Sequence, residues 1–129
     1  MTNITNKSPN NESKIRDIHE RIYQFVIRVI KLTKVIPQNP QNLVLINQLI
    51  RSATSMGAND QEADGTDSKK DFIAKYAIVR KEAKETNYWL RLVADTNSQL
   101  HLRMNGLMQE GKEIAKIVNS IIFSAKSKK

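Results

Sequence analysis

Apolar residues recur at intervals of three and four along most of the chain, and the interruptions between these stretches are short and polar. This spacing places the apolar side chains on one face of an α-helix. The pattern predicts four helices, over about residues 14–35, 41–64, 68–94 and 104–125. We interpret residues 1–13 as a disordered arm, because this Asn-, Thr- and Ser-rich segment buries too little apolar surface to offset its chain entropy.

The predicted helix boundaries coincide with residues that start or stop helices. Two prolines in the IPQNPQN segment end the first helix and set a short connector. Gly65 is suited to a left-handed C-cap of the second helix, and Thr66, Asp67 and Ser68 are alternative N-caps for the third. Residues 95–103 indicate a loop, and residues 126–129 form a basic tail.

The third and fourth helices repeat their apolar positions every seven residues. In the third helix these positions are Phe72, Tyr76, Val79, Ala83, Thr86, Leu90 and Val93. In the fourth they are Leu107, Gly111, Ile114, Val118, Ile121 and Ala125. The second helix has a broader apolar surface, made by Leu43, Leu45, Ile46, Leu49, Ile50, Ala53, Met56 and Gly57. Four such helices with short connections predict an all-α fold, an antiparallel up-down-up-down left-handed four-helix bundle.

The composition agrees with a single helical domain. The chain has 129 residues, four Gly, three Pro and no Cys, so disulfides and thiolate metal sites are excluded. The lack of cysteine fits a reducing, cytoplasmic location. No apolar run approaches the roughly 18–20 residues that span a bilayer, so we expect no membrane contact. The first residues lack the apolar core of a secretory signal.

The charge is strongly unbalanced, with 21 Lys and Arg against 13 Asp and Glu and a formal net charge of +8. This excess favours an anionic partner such as RNA or DNA, although basic solvated faces also keep many proteins soluble. Candidate nucleic-acid contacts, chosen for charge and expected exposure, are Arg21, Arg28, Lys31, Lys34, Lys69, Lys70, Lys75, Lys126, Lys128 and Lys129.

No motif for catalysis, metal or cofactor binding is complete. A di-metal bundle site needs Glu-x-x-His pairs, and neither His19 nor His101 has a Glu three residues before it. Two histidines near helix ends make a Ser-His-Asp arrangement implausible. Residues 65–70 resemble half a phosphate loop, but the first glycine is missing and the segment follows a helix. The sequence therefore predicts no enzyme, no cofactor and no metal.

Polar residues of the second and third helices form a second group of interest. In a hairpin that turns near residue 66, position 51 lies level with about 81, so Arg51 is expected to reach Glu82 or Glu85. By the same register, Asn59 and Glu62 are expected near Lys69, Lys70 and Ile73. We favour a role for Arg51, Asn59, Glu62, Glu82 and Glu85 in helix register or oligomer geometry over a ligand site.

The third helix also has apolar residues outside its main seam, namely Ile73, Ala77, Trp89 and Leu92. A monomeric four-helix bundle does not require a second apolar face, so these residues predict self-association.

Several segments of this hairpin resemble a known family. They are residues 51–59 (RSATSMGAN), 62–63 (EA), 65 (G), 68–73 (SKKDFI), 81–86 (KEAKET) and 88–91 (YWLR). They resemble the four-helix-bundle proteins encoded within 23S rRNA intervening sequences, over about residues 15–125. That family in turn resembles the accessory variability determinant of diversity-generating retroelements, a basic, barrel-shaped homopentamer that binds reverse transcriptase and nucleic acid. Asp60 stands where relatives frequently have an apolar or aromatic residue.

The resemblance implies a left-handed up-down bundle and a ring-like homopentamer, and it supplies no catalytic residue. We therefore expect a non-enzymatic, oligomeric four-helix bundle that binds RNA, DNA or a ribonucleoprotein through basic surfaces. The alternative is an adaptor that holds a protein partner, such as a reverse transcriptase, without touching nucleic acid.

Overall fold

The computed structural model describes residues 11–128, and every regular element in that range is a helix. The long helices are α1 (Asn11–Thr33), α2 (Pro40–Asp64), α3 (Lys69–Thr96) and α4 (His101–Ser127), and a 3₁₀ turn at Ser98–Leu100 joins the last two. No strand occurs among these residues. The prediction of an all-α fold with four helices is confirmed.

The observed helices are longer than predicted at five ends, namely the starts of α1, α2 and α4 and the ends of α3 and α4, and shorter at the end of α1 and the start of α3. α1 already includes residues 11–13, which we had assigned to the N-terminal arm, whereas residues 1–10 lie outside the described range. The predicted loop at 95–103 is mostly helical. Asn97 donates its backbone N–H to Val93, which extends α3 to Thr96. The buried side chain of Leu100 then anchors the 3₁₀ turn that leads into α4.

The helix ends show which capping predictions were right. The side chain of Asn39 accepts a hydrogen bond from Asn42 N–H ahead of Pro40, and Ser68 accepts from Asp71 N–H, as an N-cap should. Gly65 is not left-handed, however, because its φ is −96°. Its N–H and that of the next residue bond to the carbonyls of residues 62 and 63, so a tightened last turn replaces the left-handed cap.

The core is built from one buried seam on each helix. On α2 the seam consists of Asn42, Ile46, Leu49, Ala53, Met56, Asp60 and Ala63. On α3 it consists of Tyr76, Val79, Ala83, Thr86, Leu90, Val93 and Asn97. On α4 it consists of Met104, Leu107, Gly111, Ile114, Val118 and Ile122. α1 contributes Ile18, Ile22, Phe25, Val29 and Leu32.

At two positions the buried seam passes beside the apolar residue that the spacing predicted. Leu43 is exposed because it lies one residue beyond the α2 seam, which takes the polar Asn42 instead. Near the end of α4, Ile122 is buried and Ile121 is half-buried, because the last step of the seam is four residues rather than three. Both differences arise where an apolar residue sits next to the true seam position.

The helices pack into a four-helix bundle in which α2 lies against α3, α3 against α4, and α1 against both α2 and α4. Two glycines permit close approach. A Cβ on Gly57 would lie 3.3 Å from Val26 of α1, and a Cβ on Gly111 would clash with Asn87 and lie 3.1 Å from Phe25. Within the described residues, no helix is both long enough and apolar enough to cross a bilayer.

Candidate functional site

The polar residues of the α2–α3 hairpin form an ion-pair network. The Arg51 guanidinium lies 2.6 Å from Glu85 and 3.5 Å from Glu82. Glu82 is buried and also accepts a hydrogen bond of 3.0 Å from the Ser55 hydroxyl. The structure therefore places Arg51 against both carboxylates that the sequence indicated.

The register of the hairpin differs by about one helical turn from the predicted one. Arg51 reaches Glu85 and Asp60 reaches Tyr76, so the pairs are centred near residue 68 rather than residue 66. Glu62 consequently binds Lys75, with 2.7 Å between the carboxylate and the ammonium, rather than Lys69 or Lys70.

Asn59 makes its hydrogen bonds within its own helix. Its amide donates to the backbone carbonyl of Ser55 at 2.9 Å and to the Ser55 hydroxyl at 3.3 Å. Since the same hydroxyl donates to Glu82, Asn59 is linked to the Arg51 network through Ser55. Within the described residues, the Asn59 side chain makes no hydrogen bond to Lys69 or Lys70.

A second network joins α1, α2 and α3. Asp60 is fully buried, and its carboxylate accepts a hydrogen bond of 2.7 Å from His19 Nδ1 and one of 2.6 Å from the Tyr76 hydroxyl. The hydrogen bond to Asp60 raises the pKa of His19 above its usual 6.5, with burial opposing the effect. Burial, followed by the Asp60 hydrogen bond, raises the pKa of Tyr76. These shifts favour the protonated form of His19 and the neutral form of the Tyr76 hydroxyl.

This buried group lies beside a shallow groove between α1 and α2. The groove has a volume of about 260 Å³, and most of its lining comes from Ile22, Tyr23, Val26, Thr54, Gly57, Ala58, Asp60 and Gln61. Asp60 and Tyr76 are 0% exposed, although Asp60 contributes to the lining of the groove. Among the described residues no group of three or more His, Asp or Glu could hold a metal ion. The two hydrogen bonds of Asp60 join α1, α2 and α3.

The opposite end of the hairpin carries a buried amide pair. Asn42 and Asn97 exchange side-chain hydrogen bonds of 2.9 and 3.1 Å, and Asn42 also donates to the carbonyl of Pro37. The pair therefore ties the α1–α2 connector to the α3–α4 connector. We call this the connector end of the bundle, and the end at residues 65–68 the turn end.

Sequence reasoning missed these buried polar groups, although a signal was present. Asn42, Asp60 and Asn97 all continue the four-and-three spacing of the seams, so each stands at a position where an apolar residue is expected. Tyr76 is also a seam residue, and a buried tyrosine hydroxyl generally has a hydrogen-bond partner.

The basic candidates fall into three sets that differ in their neighbours. In the first set the charge is paired within the chain. Arg21 lies 2.7 Å from Glu110 and 3.0 Å from Glu113, and Lys75 is held by Glu62. The Glu110 hydrogen bond is the main cause of a raised Arg21 pKa, and hydrogen bonds from Gln109 and then Arg21 lower the pKa of Glu113.

The second set lies at the turn end. The Lys69 ammonium donates to the carbonyl of Lys128, which brings the start of α3 against the end of α4. Lys70 and Lys126 are also exposed there, and Lys129 lies outside the described residues. Exposed Asp64, Asp67 and Asp71 share this end, so its positive charge is largely offset.

The third set lies at the connector end, where acidic residues are absent from the sequence over long stretches. Positions 21–59 and 96–109 contain no Asp or Glu. Arg28, Lys31 and Lys34 are exposed at the end of α1. A Cβ on Gly106 of α4 would lie 3.6 Å from Arg28 Nη2, which places exposed Arg103, one turn away, on the same side. We call Arg28, Lys31, Lys34 and Arg103 the connector patch.

The second apolar face of α3 is only partly exposed. Ile73, Ala77, Trp89 and Leu92 are all half-buried. Trp89 packs against the core of its own chain, and its Nε1 is buried without a hydrogen-bond partner within the described residues. The large apolar side chains with the highest exposed fractions lie on α4, where Leu102 is 84% and Phe123 76% exposed.

The fold and this surface define a class, a basic four-helix bundle with buried polar groups between its helices. The family model for the 23S rRNA-intervening sequence protein matches residues 15–120. The chain belongs to this family, as the sequence resemblance indicated. A crystal structure of a protein with unknown function from the S23 ribosomal protein family of Bacteroides thetaiotaomicron is similar, with 35% sequence identity and a TM-score of 0.76. The similarity covers 84% of this chain and 97% of that one. A search of curated proteins finds no match.

Proposed function

We propose that the protein is a non-enzymatic, oligomeric four-helix bundle of the cytoplasm that binds RNA or DNA through the connector patch. One observation carries the proposal: four exposed cations share a bundle end that two acid-free stretches, 21–59 and 96–109, build. Cations without neighbouring carboxylates attract phosphates and release the counterions of the nucleic acid. The family description and the name of the similar structure's family, which refer to 23S rRNA and to a ribosomal protein, favour RNA as the first ligand to test.

The proposal is tested by the salt dependence of RNA and DNA binding. Fluorescence anisotropy with a labelled oligonucleotide gives the affinity at several salt concentrations. We expect the logarithm of affinity to fall linearly with the logarithm of salt, with a slope of about 0.7 per neutralised phosphate on a single strand. A variant in which the four connector-patch cations become glutamine is expected to reduce this slope by roughly 2–3.

The matched control changes the same number of charges at the turn end, with Lys69, Lys70, Lys126 and Lys128 replaced by glutamine. This control lowers the net charge equally but leaves the connector patch intact. We expect it to bind more tightly than the connector-patch variant. Equal losses in both variants would mean that net charge alone governs binding, and no binding at low salt in the wild type would remove the proposal.

We also infer that the bundle has the up-down-up-down order and left-handed packing that the heptad spacing predicted. The register supports antiparallel neighbours: Arg51 lies level with Glu85, whereas Asp60, nearer the turn, lies level with Tyr76. Between α1 and α4, Arg21 pairs with Glu110, and Arg28 lies beside Gly106. Residue numbers therefore rise along α1 while they fall along the facing part of α4, as expected for antiparallel helices. An experimental structure of this chain tests the order and the handedness directly.

Self-association is part of the proposal. The exposed Leu102 and Phe123 and the half-buried Ile73, Ala77 and Leu92 supply apolar surface that a second copy would cover. The sequence resemblance implies a homopentamer, and light scattering coupled to size exclusion counts the subunits. A strictly monomeric particle at high concentration would contradict this part.

The adaptor hypothesis is the second candidate. The exposed Leu102 and Phe123, at opposite ends of α4, favour it because each side chain also suits a protein partner. A reverse transcriptase is the partner that the resemblance suggests. Co-purification with and without nuclease separates the two functions. A complex that survives nuclease supports the adaptor, and one that dissolves supports nucleic-acid binding.

A further inference from the structure

The outer face of α3 carries a row of cations interrupted by one aromatic side chain. Lys81, Lys84, Tyr88 and Arg91 are spaced at steps of three, four and three, so they lie on one face of the helix, and all four are exposed. We call these four residues the α3 stripe. None of them belongs to the connector patch or to the paired cations described above.

The two lysines of the stripe have few acidic neighbours on their own helix. Only Glu85 stands at a spacing that faces Lys81, and no acidic residue stands three or four residues from Lys84. In the structure, Arg51 of α2 binds Glu85, together with Glu82. Within residues 18–128, no carboxylate lies within 4 Å of either lysine ammonium.

Arg91 is nearly as free as the lysines. Its closest acidic contact is Asp95, at 3.7 Å, and both side chains are well exposed. An exposed pair at this distance contributes little and is easily exchanged for a phosphate. The stripe therefore presents three positive charges outward.

Tyr88 provides a surface for stacking. Its side chain is 57% exposed, and its ring is held edge-on against Trp89 with 5.0 Å between the ring centres. Lys84 precedes it by four residues and Arg91 follows by three, so a cation stands about one turn away on each side. An exposed aromatic ring between cations is the arrangement that binds a base and its flanking phosphates in single-stranded nucleic acid.

We propose that the α3 stripe binds single-stranded nucleic acid, with a base stacked on Tyr88 and phosphates on Lys81, Lys84 and Arg91. From Lys81 to Arg91 there are ten steps along the helix, or about 15 Å at 1.5 Å per residue. This length is enough for roughly two or three nucleotides. A duplex keeps its bases stacked inside, so the stripe favours single strands over double strands. The inference rests on the proposed function and specifies the form of nucleic acid that is bound.

The test measures binding of a fluorescein-labelled ten-nucleotide RNA and of the matching duplex to the full chain. Tyr88→Ala is expected to weaken single-strand binding by roughly five- to a hundredfold, the range seen for loss of one stacked base. Tyr88→Phe keeps the ring and is expected to stay within about twofold of wild type. Duplex affinity is expected to change little in either variant.

Tyr23 offers a matched control. It is 56% exposed, almost the same as Tyr88, but it lies on α1 beside Glu20 and the Asp60 groove rather than among cations. Tyr23→Ala is expected to bind RNA as the wild type does. An equal loss in Tyr23→Ala and Tyr88→Ala would overturn the proposal.

A second measurement uses the single tryptophan of the chain. Trp89 contacts Tyr88, so its fluorescence is expected to change on binding of single-stranded RNA and to change less in Tyr88→Ala. Circular dichroism checks that each variant remains folded. The double variant Lys81→Gln and Lys84→Gln is expected to lower the salt slope by about 1.4, which is 0.7 for each charge.

The outcomes separate this inference from the proposed function. Absence of any binding by the wild type removes both. Binding that Tyr88→Ala leaves unchanged, but that the connector-patch variant weakens, removes the stripe and supports the proposed function. If Tyr88→Ala lowers the oligomer mass together with the affinity, the stripe is a contact between copies, and the inference is overturned.

Discussion

Replacing Asp60 with alanine should remove much of the stability of the bundle. The Asp60 carboxylate is fully buried and connects His19 of α1 with Tyr76 of α3 through hydrogen bonds of 2.7 and 2.6 Å. Alanine leaves a largely buried histidine and a buried hydroxyl without their acceptor. One residue change therefore breaks the contact between three helices at the turn end.

The expected magnitude follows from the burial. Removing one partner of a buried ion pair costs about 3–5 kcal/mol, because the remaining charge is left uncompensated. The Tyr76 hydroxyl, 0% exposed, adds to the cost as an unpaired buried donor. A domain of this size is stable by about 5–15 kcal/mol, so we expect Asp60→Ala to lower the melting temperature by roughly 10–20 °C.

The same network makes stability depend on pH. Because the hydrogen bond to Asp60 raises the pKa of His19 above 6.5, the folded protein binds the proton more tightly than the unfolded chain. This contribution is complete below pH 6.5 and is lost as the pH rises through the pKa of folded His19. Asp64, 3.4 Å from His19 Nε2, strengthens the effect, and Tyr76 stays neutral because its pKa is raised. Stability should therefore fall from pH 6.5 upward, and His19→Gln should flatten this part of the profile.

Urea unfolding followed by far-ultraviolet circular dichroism measures these free energies. Tyr76→Phe removes one hydrogen bond but keeps the ring that stacks on Phe72, so it should cost less than Asp60→Ala, about 1–2 kcal/mol. Asp67→Ala, an exposed change at the turn, should stay within about 0.5 kcal/mol of wild type. A cost below about 1 kcal/mol for Asp60→Ala would refute the reasoning.

Two further changes test close packing and the connector end by the same unfolding measurement. Gly111→Ala places a Cβ against Asn87 and Phe25. The cost of overpacking, about 1–3 kcal/mol, should exceed the gain in helix propensity of about 1 kcal/mol, so the variant should be less stable than the wild type. A more stable variant would show that the neighbouring side chains move aside at little cost. Asn42→Ala leaves the buried amide of Asn97 without its partner and should cost about 1–3 kcal/mol. The double variant with Asn97→Ala should cost less than the two single losses combined, and strict additivity would mean that the pair is not coupled.

The regular parts of the fold were predictable because the spacing of apolar residues is a local property. The α3 seam from Tyr76 to Val93 was identified correctly, since steps of four and three leave little choice of face. The choice failed at Leu43, where an apolar residue stands beside a seam position filled by Asn42. A polar residue at such a position is recognisable only when its partner is known, and Asn97 is 55 residues away in the sequence.

The polar sites were predictable only in part, for the same reason. Arg51 and its two glutamates were identified because an antiparallel hairpin brings them together, although the register differed by a turn. The partners of Asp60 come from two other helices, so its contact with His19 was not predictable from the spacing along one helix. The free state of Lys81 was likewise not predictable, because it depends on whether Glu85 turns to Lys81 or to Arg51.

The outward charge of α3 also restricts the symmetry with which copies can assemble. In a two-fold contact each surface meets its own equivalent, so pairing α3 with α3 would bring Lys81, Lys84 and Arg91 of one copy against those of the other. The turn end, by contrast, exposes Asp64 and Asp67. Contacts between copies through α3 are therefore favourable only when two different surfaces meet, and repeated head-to-tail contacts of that kind either close into a ring or extend into a filament.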